Sequence, residues 1–265
     1  MINEILMPAI WIGAIGLFFG LILASASIIF KVEKDERIDK VLENLPGANC
    51  GGCSYAGCQA FSEAIVLNGE RITKCNLMTK EIAEKISSIM GVEAGEVVKK
   101  KAFVRCQGDC TSCNTKCEIF GIDNCFEASS YGVGPKDCEY GCLGLGSCVK
   151  VCQENAISIV NGIANIDVNK CIGCGKCASV CPKNIITLIS EKRCAIVKCS
   201  SKDKGVQVKN YCSKGCIGCK LCEKKCPKGA INVVDNLARI DYNECVGCGL
   251  CVDACPKGVI EIVNK

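Results

Sequence analysis

No histidine occurs anywhere in the 265 residues. That absence removes Ser-His-Asp hydrolysis, Cys-His nucleophiles, His-ligated haem, Rieske centres and zinc fingers of the two-cysteine, two-histidine kind. Aromatic residues are also scarce, with seven Phe, five Tyr and one Trp, so a large aromatic core is unavailable and small modules are expected. No G-x-G-x-x-G follows a strand-like run, so the chain itself is not expected to bind flavin or NAD. Catalysis by side chains alone is therefore not expected.

What the chain has instead is cysteine, 28 in all. Three stretches read C-x-x-C-x-x-C-x-x-x-C-P: Cys171 to Pro182, Cys216 to Pro227 and Cys245 to Pro256. In bacterial iron-sulfur ligation three cysteines of such a run hold one cluster and the fourth holds its neighbour. The formal charge of +4 then misleads, because five [4Fe-4S] units at roughly −2 each would bring the sum to about −6. A nucleic-acid partner is accordingly not expected.

From Ile5 to Phe30 there is no charged residue. As a helix, Ile10 to Phe30 would reach about 31 Å, close to a hydrocarbon core of about 30 Å. A single membrane-spanning anchor over 1–31 is expected, with a cleaved signal peptide as the competing reading around Ala24, Ser25 and Ala26. Lys31, Lys34, Arg37 and Lys40 follow the span and none precedes it, which places the bulk of the chain on the cytoplasmic side of the cell inner membrane. Reduced cytosolic thiols agree with that side. Ile38, Val41, Leu42 and Leu45 then suggest a short amphipathic helix before Pro46.

Cys50, Cys53, Cys58 and Cys75 make a four-ligand module over 32–92, with Gly47, Gly51, Gly52 and Gly57 letting the backbone wrap closely. A [4Fe-4S] cluster is preferred. Four-thiolate zinc is the redox-silent alternative, and a plant-type [2Fe-2S] site would want the spacings reversed. Helices are predicted over Gln59 to Leu67 and from a Thr79 cap to Met90.

Two ferredoxin-like pairs follow, over 131–192 and 211–265. By crossed ligation Cys138, Cys142 and Cys148 share a cluster with Cys181, and Cys171, Cys174 and Cys177 share one with Cys152. In the second pair Cys216, Cys219 and Cys222 go with Cys255, and Cys245, Cys248 and Cys251 with Cys226. Gln153 replaces the usual proline after Cys152. Strands are predicted at Ala156 to Val160, Ile185 to Ile189, Ala230 to Val234 and Val259 to Val263. Lys176, Lys183, Lys220, Lys224, Lys225, Lys228 and Lys257 accompany the runs, either as solvated loop charges or as a face for an acidic partner.

Eight cysteines stand outside these sets. Within the segment 93–130, Cys106, Cys110, Cys113 and Cys117 are candidates for a sixth metal site, with Cys125 beyond them. Cys194, Cys199 and Cys212, about the linker 193–210, are expected to be buried thiols.

The expected fold is α+β: one N-terminal transmembrane helix, a small four-cysteine [4Fe-4S] module and two bacterial-type two-cluster ferredoxin-like modules. The anchor, the Cys50 to Cys75 module, the segment CEYGCLGLGSCVKVC and the regular run after it together resemble the B subunit of Rnf-type ion-translocating oxidoreductases, in the long form with two ferredoxin-like pairs. The resemblance implies a component carrying at least five [4Fe-4S] clusters. It would accept low-potential electrons from a soluble ferredoxin and relay them to membrane and peripheral subunits whose redox steps move Na+ or H+, with NAD+ as distant acceptor. A polyferredoxin subunit of a hydrogenase or formate dehydrogenase, and a structural zinc protein, are the alternatives.

Overall fold

The computed structural model describes residues 2–29, 35–191 and 194–263. Lys31 and Lys34, two of the four charges used to orient the chain, lie outside them, as do Phe30 and residues 192–193. Helix α1 (Ile2–Ile29) runs 28 residues. Its described side chains are those of Met7 and residues 11–25, and Trp11, Ile12, Leu17, Phe18 and Leu23 among them are exposed. Among the described residues no helix is long and apolar enough to cross a membrane.

Next come α2 (Glu36–Asn44), α3 (Cys58–Asn68) and α4 (Lys80–Met90). Local chemistry sets their ends. Asp35 caps α2 by accepting from the Arg37 N–H, Thr79 caps α4 by accepting from the Ile82 N–H, and Gly69 and Gly91 close α3 and α4 in left-handed geometry. Ile38, Val41, Phe61, Ile65, Met78 and Ile86 from these helices and their connections form one buried core.

The remainder is built from β1 (Lys100–Val104), α5 (Cys125–Ser130), α6 (Ser147–Lys150), β2 (Ile157–Val160), β3 (Ile163–Ile166), α7 (Lys176–Ser179), β4 (Ile186–Ser190), β5 (Cys194–Val197), α8 (Gly205–Tyr211), α9 (Leu221–Lys225), β6 (Ile231–Val234), β7 (Leu237–Ile240), α10 (Leu250–Asp253) and β8 (Ile260–Val263). The strands pair antiparallel as β1–β4, β2–β3, β5–β8 and β6–β7. Each two-residue hairpin turn, Asn161-Gly162 and Asp235-Asn236, has positive φ at both positions, the twist that matches flanking strands.

The four strands expected after the cysteine runs are present as β2, β4, β6 and β8. Their partners change the expected layout. Strand β1 comes from the segment 93–130, expected as linker, and pairs Lys100 with Ser190. Strand β5 comes from the linker 193–210 and pairs Cys194 with Val263. Each ferredoxin-like unit therefore begins before its first run, because its last strand would otherwise expose an unpaired edge.

Candidate iron-sulfur sites

In the first module Asn49, Gly51 and Ser54 adopt positive φ, turning the Cys50–Cys58 loop on itself. The Asn49 Oδ1 accepts the Cys58 N–H at 2.8 Å, fastening the loop to the start of α3. The loop and Cys75 thereby meet: burial raises the Cys75 thiol, and neighbouring Cys53, Cys50 and Cys58 raise it further.

The second ferredoxin-like unit gathers its cysteines in the expected crossed sets. One cavity is lined by Cys216, Cys219, Cys222 and Cys255 with Pro256, a second by Cys226, Cys245, Cys248 and Cys251 with Pro227. Burial pushes the Cys222 thiol up to about 11, with Cys216, Cys219 and Cys255 adding to it.

The first unit repeats the second at a constant offset: Cys142, Cys148, Cys152, Cys171 and Cys181 stand 74 positions before Cys216, Cys222, Cys226, Cys245 and Cys255. Cys171 and Cys177 share a core with Cys152, and burial, then Cys171 and Cys174, drive the Cys177 thiol up to about 12. Its other cavity is lined by Cys142, Cys148 and Cys181, as expected, but the fourth cysteine there is Cys125. Cys142, Cys125 and Cys181 are likewise the neighbours that raise the Cys148 thiol once burial has acted.

Cys138 is not brought to this cavity. The offset gives the reason: the residue at the place of Cys219 is Leu145, so the run CLGLGSC lacks its middle cysteine. Cys125, at the start of α5, stands in for it, docked by its N–H donating to Ser147 Oγ at 2.7 Å. Position along the chain hides this substitution, since no short spacing links Cys125 to a run.

The grouping of Cys106, Cys110, Cys113 and Cys117 is also not formed. Cys110 is exposed against the Gly162 turn, and Cys117, exposed as well, donates to the Gly134 carbonyl. Cys106 and Cys113 instead line a cavity with Cys138, Cys199 and Cys212. Of the thiols expected to be buried, Cys212 is buried and Cys199 half-buried, both facing this cavity, while Cys194 is buried within the β5 core.

The modules touch. A Cβ at Gly52 would collide with the Cys174 carbonyl oxygen, so the Cys50–Cys53 loop lies directly on the first ferredoxin-like unit.

Among the described residues no three Cys, Asp or Glu side chains converge closely enough to hold a metal ion; in three of the sets the four thiols stand around a cavity. That arrangement suits a cubane, whose four irons take thiolates at separate corners, better than a zinc ion needing all four sulfurs at about 2.3 Å from one point. The raised thiols mean that loading iron must discharge protons.

Fold and sites define an iron-sulfur protein with ferredoxin-type modules. The Fe-S cluster family model matches residues 45–76, and the 4Fe-4S dicluster domain matches 137–185, 170–230 and 215–259. The B subunit of the Na(+)-translocating ferredoxin:NAD(+) oxidoreductase complex of Acetobacterium woodii is 44% identical over 92% of this chain and 74% of its own length. The B subunit of the ion-translocating oxidoreductase complex of Methanosarcina acetivorans is 42% identical over 91% of this chain and 90% of its own. For the B subunit of the proton-translocating ferredoxin:NAD(+) oxidoreductase complex of Clostridium ljungdahlii the values are 43%, 90% and 85%. The chain belongs to this family, the B subunits of Rnf-type ion-translocating oxidoreductase complexes, and is an iron-sulfur electron-transfer protein.

Proposed function

We propose that this chain is the membrane-anchored subunit that takes low-potential electrons from reduced ferredoxin. It passes them to other subunits of a ferredoxin:NAD+ oxidoreductase that moves Na+ or H+. The observation that carries the reading is the set of cysteine-lined cavities in modules that touch one another. Five [4Fe-4S] clusters would be held by Cys50, Cys53, Cys58 and Cys75; by Cys125, Cys142, Cys148 and Cys181; by Cys152, Cys171, Cys174 and Cys177; by Cys216, Cys219, Cys222 and Cys255; and by Cys226, Cys245, Cys248 and Cys251. Cys125 takes the place expected for Cys138. When bound, such clusters supply one-electron redox chemistry at low potential.

The protein's own groups tune and address these sites. Backbone N–H groups of Ala102, Ala156 and Val259 donate to the sulfurs of Cys171, Cys152 and Cys255, each at 3.4 Å, and favour the thiolate and the reduced state. In the second unit Lys220, Lys224, Lys225 and Lys228 are exposed, Lys220 lining the cavity of Cys219 and Lys228 that of Cys248, and both of these cysteines are exposed. A positive rim of this kind suits docking of an acidic ferredoxin. At the other end the stretch Ile5 to Phe30, free of charge in the sequence and followed by basic residues, anchors the first module at the cytoplasmic membrane in a single pass. The bulk of the chain then lies on the cytoplasmic side.

Stopped-flow mixing of the anaerobic full chain with reduced ferredoxin tests the donor. Bleaching of the cluster absorbance is expected, slowing as salt rises and slowing further in a Lys220→Gln/Lys224→Gln/Lys225→Gln variant. A chain that no ferredoxin reduces overturns the reading. Carbonate-washed membranes that release the chain overturn the anchor, and the subunits that co-purify with it identify the complex.

A further inference from the structure

The cavity shared by Cys106, Cys113, Cys138, Cys199 and Cys212 belongs to neither ferredoxin-like unit alone. Its empty volume is about 370 Å3, beside about 380, 360 and 380 Å3 for the three four-cysteine cavities of those units. Four of its thiols are related by the internal repeat. Cys138 and Cys212 are 74 positions apart, each opening the pattern C-x-x-G-C before its unit's first run. Cys106 and Cys199 each follow, after one basic residue, the strand that pairs with the last strand of their unit, β1 and β5.

Their hydrogen bonds repeat too. Cys142 N–H donates to Cys106 Sγ at 3.4 Å and Cys216 N–H donates to Cys199 Sγ at 3.4 Å. Cys138 receives a backbone N–H from Tyr140 and Cys212 one from Lys214, again 74 positions apart. Two equivalent thiols from each unit therefore face the same cavity.

The place is built. Segment 109–116 ties both units across it: Asn114 N–H donates to the Tyr211 carbonyl and Ser213 N–H to the Ser112 carbonyl, while Asp137 N–H donates to the Asn114 carbonyl. A Cβ at Gly108 would lie 3.3 Å from Cys212 Sγ and 4.0 Å from Cys106 Sγ, so a larger residue there would enter the cavity. Lys136, Lys198 and Lys214 line it and no carboxylate does; Lys136 is buried, its Nζ donating to the Gly162 carbonyl at 2.8 Å. Lys198 and Lys214 pair with Glu261 and Asp109 at 3.0 and 3.4 Å, and the buried Lys136 supplies positive charge that suits a thiolate cluster of net negative charge.

We infer that Cys106, Cys138, Cys199 and Cys212 hold a sixth iron-sulfur cluster, of the [4Fe-4S] type, at the junction of the two ferredoxin-like units. Cys113, hydrogen-bonded to Cys212, is a fifth thiol at its wall with no counterpart in the repeat. The position gives the cluster a use. The donors to Cys106 and Cys199 are the amides of Cys142 and Cys216, residues that line the neighbouring cavities, so one hydrogen bond on each side joins the junction to a flanking site. Electrons crossing from one unit to the other have their path here.

The inference rests on the chain being an iron-sulfur electron carrier, and the test separates the two. Iron, zinc and acid-labile sulfide are counted per chain on anaerobically prepared full-length protein, beside circular dichroism and Mössbauer spectra. Six cubanes give about 24 iron and 24 sulfide and five give about 20; a parent chain at about 20 overturns the junction cluster alone, and one without iron overturns the carrier reading itself. A Cys106→Ser/Cys199→Ser variant is expected to lose about four iron and four sulfide with its circular dichroism retained. Gly108→Val, which leaves every thiol in place, is expected to lose the same four and decides the matter should the double variant not fold. Cys110→Ser is expected to keep the full count. Unchanged iron in both junction variants, loss of zinc instead of iron, or iron loss on Cys110→Ser overturns the assignment.

Discussion

Replacement of Cys125 by serine distinguishes the site seen in the structure from the one that spacing along the chain suggests. Cys125, Cys142, Cys148 and Cys181 line one cavity, and its other walls match the cavity of Cys216, Cys219, Cys222 and Cys255 at the 74-residue offset: Leu143 with Ile217, Ile159 with Val233, Ala164 with Ala238, Ile185 with Val259. Of the four cysteine positions the one that differs is that of Cys219, filled by Cys125 from α5 in place of Leu145. Serine at 125 keeps the backbone N–H that bonds Ser147 but removes one thiolate of four. One cubane should then be lost, about four iron and four sulfide per chain. Leu145→Cys added to that variant should restore them, because residue 145 occupies the place that Cys219 holds in the other unit. Iron and sulfide assays with low-temperature EPR of the reduced protein read both effects. A Cys125→Ser variant with undiminished iron would refute the reasoning and return Cys138 to the site. Iron lost but not regained with Leu145→Cys would refute the claimed equivalence of the two units.

Removing iron with a chelator under anaerobic conditions should abolish the circular dichroism of the ferredoxin-like units, since cluster-binding cysteines are interleaved with the few aliphatic residues of their cores and the strands are short; an iron-free chain with native circular dichroism would contradict that. Gly52→Ala forces a methyl against the Cys174 carbonyl, so it should cost about 1–3 kcal/mol in thermal unfolding and slow electron exchange between the first module and the first ferredoxin-like unit while iron content stays constant. Glu70 is held well below its ordinary value, at about 2, by the Lys74 ammonium, then the Tyr55 hydroxyl and the Arg71 N–H. A carboxyl depressed in the folded state stabilises fully above its unfolded value of about 4.3 and loses that contribution as pH falls towards 2. Glu70→Gln should therefore lower the urea midpoint by the same amount at every pH from 8 to 5, and a difference that titrates within that window would count against the Glu70 contacts.

Much of the fold could be read directly from local patterns. The apolar spacing of Phe61, Ala64 and Ile65, and the Thr79 cap with the Gly91 stop, correspond to α3 and α4 because those features act within one or two turns of helix. The strands after the cysteine runs were legible for the same reason. Strands β1 and β5 were not, since Lys100 and Cys194 are strand residues only through partners at Ser190 and Val263. Strands β3 and β7 have no cysteine run directly before them to mark them and are set by pairing with β2 and β6, although Asn161-Gly162 is a recognisable hairpin turn. Regular runs announce their own partners by spacing, so the crossed sets of the second unit were visible. Cys125, Cys199 and Cys212 meet their neighbours only after distant segments fold together.

Where Gly52 lies on Cys174, two stretches of main chain abut with no side chain between them. The gap separating the first module from its neighbour is thus defined by peptide groups, whose dimensions do not vary with residue type. Replacements elsewhere on either surface can alter charge or polarity around this seam, yet leave its width alone. Fidelity of the crossing is delegated to one hydrogen atom where every other amino acid would carry carbon.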